Sequence, residues 1–202
     1  MKRITIILLV SLVASASAIS QTQTKQNLLT AWKGETTASS KYAAYADQAA
    51  KEGYPQIASL FRAASKSEGI HAANHKTVLG KMGGTTPAFT PEFTVKTTKE
   101  NLADAISGEG NEVMKMYPDY ITIAKSEEAM DAAKSMRWAM ETEKKHLGFF
   151  SNAMKALESN NVASLVKFYW VCPKCGNTYD VDKPESMCSF CGTSSSKFSK
   201  VQ

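Results

Sequence analysis

Seven side chains recur in a pattern suited to holding a pair of metal ions. Glu35 follows Gly34, and 33 residues further on Glu68 opens Glu68-x-x-His71. Glu109 follows Gly108, and 34 residues further on Glu143 opens Glu143-x-x-His146. Two helices that each give a Glu, with two that each give a Glu-x-x-His, form the ligand set of a dinuclear site inside a four-helix bundle. Such a site does redox chemistry with dioxygen or peroxide. The three-residue spacing puts the Glu and His of each motif on one helix face. Glu112, three residues after Glu109, adds a fifth carboxylate to the same face. Five Glu and two His suffice for two ions with five or six ligands each, two of the glutamates bridging. Mixed carboxylate and imidazole ligation suits iron or manganese.

A single Glu-x-x-His is common by chance on solvated helix faces. Two copies on apolar stripes, at closely matching distances after a Gly-Glu, are not explained that way. A buried, unpaired carboxylate costs several kcal/mol, so four of them in one core require cations between them. The chain has three histidines, and the third, His75, lies one turn after His71. It reads as a supporting or surface residue. Tyr42 and Tyr117 sit two turns along from Glu35 and Glu109, either packing the core or hydrogen-bonding a ligating carboxylate.

All four cysteines lie at the C-terminus, in Cys172-Pro-Lys-Cys175 and Cys188-Ser-Phe-Cys191. Paired C-x-x-C knuckles a dozen residues apart make a tetrahedral thiolate site, for zinc or iron alike. Two disulfides are the rival reading for an exported chain. Tyr169, Trp170, Tyr179, Phe190 and Phe198 are the aromatics available for the small core of such a module.

Helical periodicity positions the ligands from about residue 24 to 160. Leu28, Ala31, Trp32, Glu35, Tyr42, Tyr45 and Ala49 share one stripe. After Gly53-Tyr54-Pro55, a second helix over about Pro55–Leu79 carries Ile57, Leu60, Phe61, Ala64, Glu68, His71 and His75 inward. A long connection from Gly80 to about Leu102 is the crossover that joins two helical hairpins. Thr97-x-x-Glu100 offers a capping box to a third helix bearing Leu102, Ile106, Glu109, Val113, Met116 and Tyr120. The fourth, over about Ser126–Leu157, carries Ala129, Met136, Met140, Glu143 and His146. The expected fold is mainly α: a four-helix bundle over 24–160, a linker near Ser159–Ser164, and a four-cysteine module over 167–202.

Residues 1–18 combine Lys2 and Arg3, an apolar run Ile4–Val13 and Ala16-Ser17-Ala18, which predicts a cleaved signal peptide and export to the periplasm. No stable membrane span is expected after cleavage. Loss of Lys2 and Arg3 takes the net charge from +5 to +3. With no basic run, nucleic acid is not an expected partner.

From about Gln26 to Phe198 the chain resembles the rubrerythrins. The resemblance rests on Gly34-Glu35, Glu68-x-x-His71, Asn101-Leu102, Gly108-Glu109-x-x-Glu112, Met116-Tyr117-Pro118, Glu143-x-x-His146 and the two knuckles, in that order. It implies a diiron site in the bundle, one iron on four cysteines in a rubredoxin-like tail, and reduction of hydrogen peroxide to water. It implies Glu35, Glu68, Glu109, Glu112, Glu143 and His146 as ligands, His71 exchanging with Glu112 as the redox state changes, and Tyr42 and Tyr117 near the irons. It further implies an NADH-linked electron-donor protein and a homodimer in which one subunit's thiolate centre approaches the other's diiron site. The second knuckle departs from the family in lacking a proline. A ferritin-type iron-storage or ferroxidase protein with a structural zinc tail is the alternative.

Overall fold

The computed structural model describes residues 22–202; the expected signal peptide lies outside them. Helix α1 (Thr22–Lys51) and α2 (Pro55–Lys81) form the first hairpin. Gly53, at φ +84°, supplies the left-handed turn between them, and Pro55 starts α2 with its ring in place of an N–H that a first turn leaves unpaired. Helix α2 closes at Gly83, φ +76°, with the Gly84 amide returning to Leu79 O at 2.9 Å. The connection then crosses the bundle without regular structure, Phe89 resting on Trp32 with ring centroids 5.7 Å apart.

The expected capping box is present: the Thr97 side chain accepts from the Glu100 amide and the Glu100 carboxylate from the Thr97 amide. It starts α3 (Thr98–Asn111), which runs through a π-helical segment, Glu112–Met116, into α4 (Tyr117–Ser126). Helix α5 (Met130–Glu158) completes the second hairpin. It starts four residues later than expected. The turn that delays it holds Glu128 at φ +56°, and no glycine or proline announces it.

Every residue named above for the inner stripes of α1 and α2 is buried. The third stripe fails after Glu109: Val113, Met116 and Tyr120 are only half-buried, and Ile106, ahead of it, is half-buried as well. A π turn has a wider ring than an α turn, so the three- and four-residue steps cease to stack through it. Two apolar clusters result. One is built on Tyr42, Phe61, Leu102 and Phe150, the other on Leu28, Leu79, Tyr117 and Met136. Glu35 lies between Ala31 and Tyr42 on α1, so the ligand layer falls between the clusters. Among the described residues no helix is long and apolar enough to cross a membrane.

After α5, a short 3-10 turn at Val162–Ser164 leads to an antiparallel sheet of β1 (Tyr169–Val171), β2 (Thr178–Tyr179) and β3 (Ser199–Val201), in the order β2-β1-β3. Tyr169 departs from its expected place. It joins the bundle core, 5.6 Å from Phe149, and with Val171 welds the sheet to α2 and α5. Phe198 and Trp170, Tyr179 and Phe190 surround the cysteines as expected.

Candidate metal centre

Four helices bring six of the seven expected ligands together. Glu35, Glu68, His71 and Glu143 form one group, and Glu68, Glu109, Glu143 and His146 a second, the donor atoms within each lying no more than 4.8 Å apart. Glu68 and Glu143 belong to both, the placement a bridging carboxylate needs. All six are at most 2 % exposed. Glu112 belongs to neither group. It is half-buried at the start of the π segment, whose wider turn moves it off the face Glu109 occupies.

The two histidines are set in mirrored fashion. His71 Nδ1 lies 2.8 Å from Glu68 Oε2 and 2.8 Å from Glu143 Oε1. His146 Nδ1 lies 3.0 Å from Glu68 Oε1 and 2.9 Å from Glu143 Oε2. On the far side, His71 Nε2 meets the carbonyl of Cys175 at 3.1 Å, an acceptor only, so that nitrogen carries the hydrogen. His146 Nε2 meets Thr178 Oγ1 at 2.9 Å, and Thr178 gives its own hydrogen to Gly176 O, so His146 also donates. Both rings are thereby fixed with Nδ1 as a free donor atom facing the carboxylates, the tautomer a metal requires. Sequence reasoning missed this role of Thr178 and of the knuckle carbonyls.

The tyrosines take both of their expected roles, packing in the two clusters and hydrogen-bonding the carboxylates. Tyr42 donates to Glu109 Oε1 at 2.8 Å, and Tyr117 donates to Glu35 Oε1. His75 is fully buried and meets Tyr117 through Nε2.

Charge shows what the pocket lacks. Burial, and then the charges of Glu112, Glu68 and Glu143, push the Glu35 carboxyl well above its ordinary range. Burial, and then Glu143, Glu68 and Glu112, do the same to Glu109. Burial opposes charge on Glu68 too, but His146 and then His71 hold it down at about 2. Burial would lower both imidazoles; Glu143 nonetheless raises His71, and Glu68 lifts His146 to about 9. Among the described residues, Glu35 Oε2, Glu68 Oε1, Glu109 Oε2, both Glu143 oxygens and His146 Nδ1 are buried without a hydrogen-bond partner. Orphaned buried acceptors aimed at two common points fit two cations.

Metal must therefore displace protons. Adding ferrous or zinc ions to metal-free protein at pH 7 is expected to release protons, because raised carboxyls and imidazoles hold them until the ion arrives. Affinity then falls as pH falls, and the share of this dependence carried by His146 ends once that ring has lost its proton, near pH 9. Calorimetry in two buffers of different ionisation heat counts the protons; no buffer dependence would contradict the assignment.

The four thiols are free and mutually close, with Cys172–Cys191 sulfurs 3.6 Å apart and Cys175–Cys188 sulfurs 3.5 Å apart. A disulfide needs about 2.05 Å. A tetrahedron with metal–sulfur bonds of about 2.3 Å has edges of about 3.8 Å, which these separations approach. Each knuckle ends in a left-handed glycine, Gly176 at φ +81° and Gly192 at φ +70°, whose amide returns to the first cysteine's carbonyl at 3.0 and 2.9 Å. The second knuckle closes like the first without its proline. Tyr179 donates to Cys188 Sγ at 3.3 Å.

A mainly helical four-helix bundle with this buried carboxylate–imidazole pocket, joined to a rubredoxin-like module with four clustered cysteines, defines a ferritin-like diiron protein. Comparison with known proteins narrows the class. The family model described as Rubrerythrin matches residues 26–154, and the chain belongs to that family. Rubrerythrin-2 of Clostridium acetobutylicum is 32 % identical over 182 residues, covering 90 % of this chain and 98 % of the relative. The rubrerythrin of Porphyromonas gingivalis is 31 % identical over 176 residues, 86 % of this chain and 88 % of its own. A nigerythrin structure in a mixed-valence state superposes with a TM-score of 0.77 at 27 % identity, covering 88 % and 86 % of the two chains. A bacterioferritin of Desulfovibrio desulfuricans shares the fold, with a TM-score of 0.66 at 17 % identity over 84 % and 96 %. The chain carries a diiron carboxylate site in the bundle and an iron site on its four cysteines.

Proposed function

We propose that this protein reduces hydrogen peroxide to water, H2O2 + 2 H⁺ + 2 e⁻ → 2 H2O, with electrons entering through the four-cysteine iron. The observation that carries this reading is the direct hydrogen bond from His71, a ligand candidate, to the Cys175 carbonyl, which joins the two metal sites. Bound iron supplies one-electron redox chemistry and Lewis acidity at the pocket.

The chain's own residues do the rest. Glu68 and Glu143, shared by the two donor groups, would hold both ions. Glu35 and Glu109 fill outer positions, each kept in orientation by a tyrosine hydroxyl. His71 and His146 present Nδ1. The apolar clusters on either side keep bulk water out, so fixed dipoles act in a low dielectric. Glu112, half-buried, has room to move, and we assign it the ligand position that exchanges with His71. In this single chain the thiolate module rests on its own bundle. Exchange of the same interface between two chains preserves every one of these contacts, and a homodimer belongs to the proposal; light scattering tests it. Residues 1–18 direct export in this reading, tested by fractionation. Export separates the protein from cytoplasmic NADH, so the reductant reaching it is a carrier protein of NADH-linked origin.

Peroxide consumption by the anaerobically reduced, iron-loaded protein is the test. Stoichiometric loss of peroxide with reoxidation of both iron sites is expected; peroxide left untouched refutes the reading. The ferritin-like fold also suits iron storage, which instead predicts many irons per chain in a cage.

A further inference from the structure

His75 has no counterpart in the repeat and no ligand role, yet it is as deeply buried as the ligands. Its surroundings form a continuous line. Ser135 on α5 lies 2.9 Å from His75 Nδ1, His75 Nε2 lies 3.1 Å from the Tyr117 hydroxyl, and Tyr117 meets Glu35 Oε1. Ser135 is 5 % exposed and forms part of the wall of a surface cavity of about 160 Å³, with Asn74, Thr77, Lys134 and Trp138. That volume holds several waters at about 30 Å³ each.

The hydrogens can be assigned by counting. A ligating Glu35 is an ionised acceptor, so Tyr117 gives it its only hydrogen. The tyrosine oxygen then receives a hydrogen from His75, which must be the Nε2–H tautomer. His75 Nδ1 is therefore an acceptor, and Ser135 donates to it. Every hydrogen in the line points from the cavity toward the metal pocket.

We propose that Ser135, His75 and Tyr117 form a proton relay from the cavity at Ser135 to Glu35, supplying protons that peroxide reduction consumes. The inference rests on the peroxide-reducing reading. In one passage a cavity water loses a proton to Ser135 Oγ, whose own proton passes to His75 Nδ1. The Nε2 proton passes to Tyr117 and the Tyr117 proton to Glu35 Oε1, which leaves His75 as the Nδ1–H tautomer until the ring and the two hydroxyls turn back for the next proton. No member gains or loses net charge over the passage, and one proton has crossed from solvent to site. His75 suits the task because imidazole accepts on one nitrogen while donating on the other. Its complete burial disfavours a charge on the ring, so it stays neutral between passages. His75 Nε2 lies 3.9 Å from Glu35 Oε1, beyond hydrogen-bond reach, so His75 and Ser135 act through Tyr117.

His75→Gln separates relaying from support. An amide at this position still accepts and donates hydrogen bonds, but it does not pass a proton. The relay predicts that this variant keeps its iron content while the peroxide step slows by about tenfold to hundredfold, within the range of general acid–base effects, with a larger solvent isotope effect. Ser135→Ala is expected to slow it less, and Ser135→Thr, which restores the hydroxyl, to recover the loss. Ring ¹⁵N shifts of His75 in zinc-loaded, redox-inert protein provide the second readout, with neutral Nε2–H expected. An Nδ1–H or doubly protonated ring overturns the relay, as does a wild-type rate and isotope effect in an iron-replete His75→Gln. If the iron-loaded wild type does not consume peroxide, the functional reading fails and the relay fails with it, whatever the tautomer.

Discussion

Glu143→Ala is expected to empty the bundle of metal and abolish peroxide turnover while leaving the thiolate iron in place. Glu143, like Glu68, reaches across the whole site: one oxygen faces His71, the other faces His146, and the side chain belongs to both donor groups. Its removal subtracts a ligand from each ion and the bridge between them. Iron per chain should fall from three, one per donor group, to one. A bound metal contributes several kcal/mol to such a reaction, so turnover should drop roughly a thousandfold or more. The visible absorption of the thiolate-bound iron serves as an internal control for folding. A Glu143→Ala protein that retains all its iron and its activity would remove Glu143 from the site.

The second large effect is at Gly176, far along the chain from any bundle ligand. A Cβ there would lie 2.3 Å from His71 Nε2, 2.7 Å from His71 Cδ2 and 2.8 Å from Ser67 Oγ. These are contacts that real side chains do not make. The backbone is also left-handed at φ +81°, which costs a non-glycine residue about 1–2 kcal/mol. Overpacking adds about 1–3 kcal/mol, so Gly176→Ala should weaken docking of the module by roughly 2–5 kcal/mol. Both metal sites should still load. Chemically reduced protein should meet its first equivalent of peroxide normally, but turnover fed through the four-cysteine iron should collapse. Gly192→Ala is the matched control, with φ +70° and nothing within 4 Å, so it carries the backbone strain without the clash. If the two variants behaved alike, the close approach at Gly176 would have no functional weight.

The ligand pocket was legible because its signal is local and repeated. Glu-x-x-His fixes two donors on one face wherever a helix forms, and inner stripes over α1 and α2 leave those faces no option but inward. Three features were not legible. The π segment at Glu112–Met116 depends on a ring size that no residue type in Glu-Val-Met-Lys-Met encodes. It placed Glu112 at the margin and left Val113, Met116 and Tyr120 half-buried. The turn at Glu127–Ala129 uses a left-handed glutamate, a rare choice that pattern reading does not anticipate. Docking of the sheet on the bundle is a tertiary event. Tyr169 reads as an aromatic of the module and becomes part of the bundle core because β1 lies across α2 and α5. Thr178 and the Cys175 carbonyl acquire their roles through that docking alone.

One consequence concerns biosynthesis. The groups that orient His71 and His146 come from Cys175 and Thr178, which leave the ribosome after every helix of the bundle. An unfinished chain can collapse its helices, but its two imidazoles face water at Nε2 and are free to turn. The two rings are therefore aimed only once the thiolate knuckle has seated on the bundle. A chain cut short after Glu158 would keep all of its bundle donors and lose the clamp that aims the two rings.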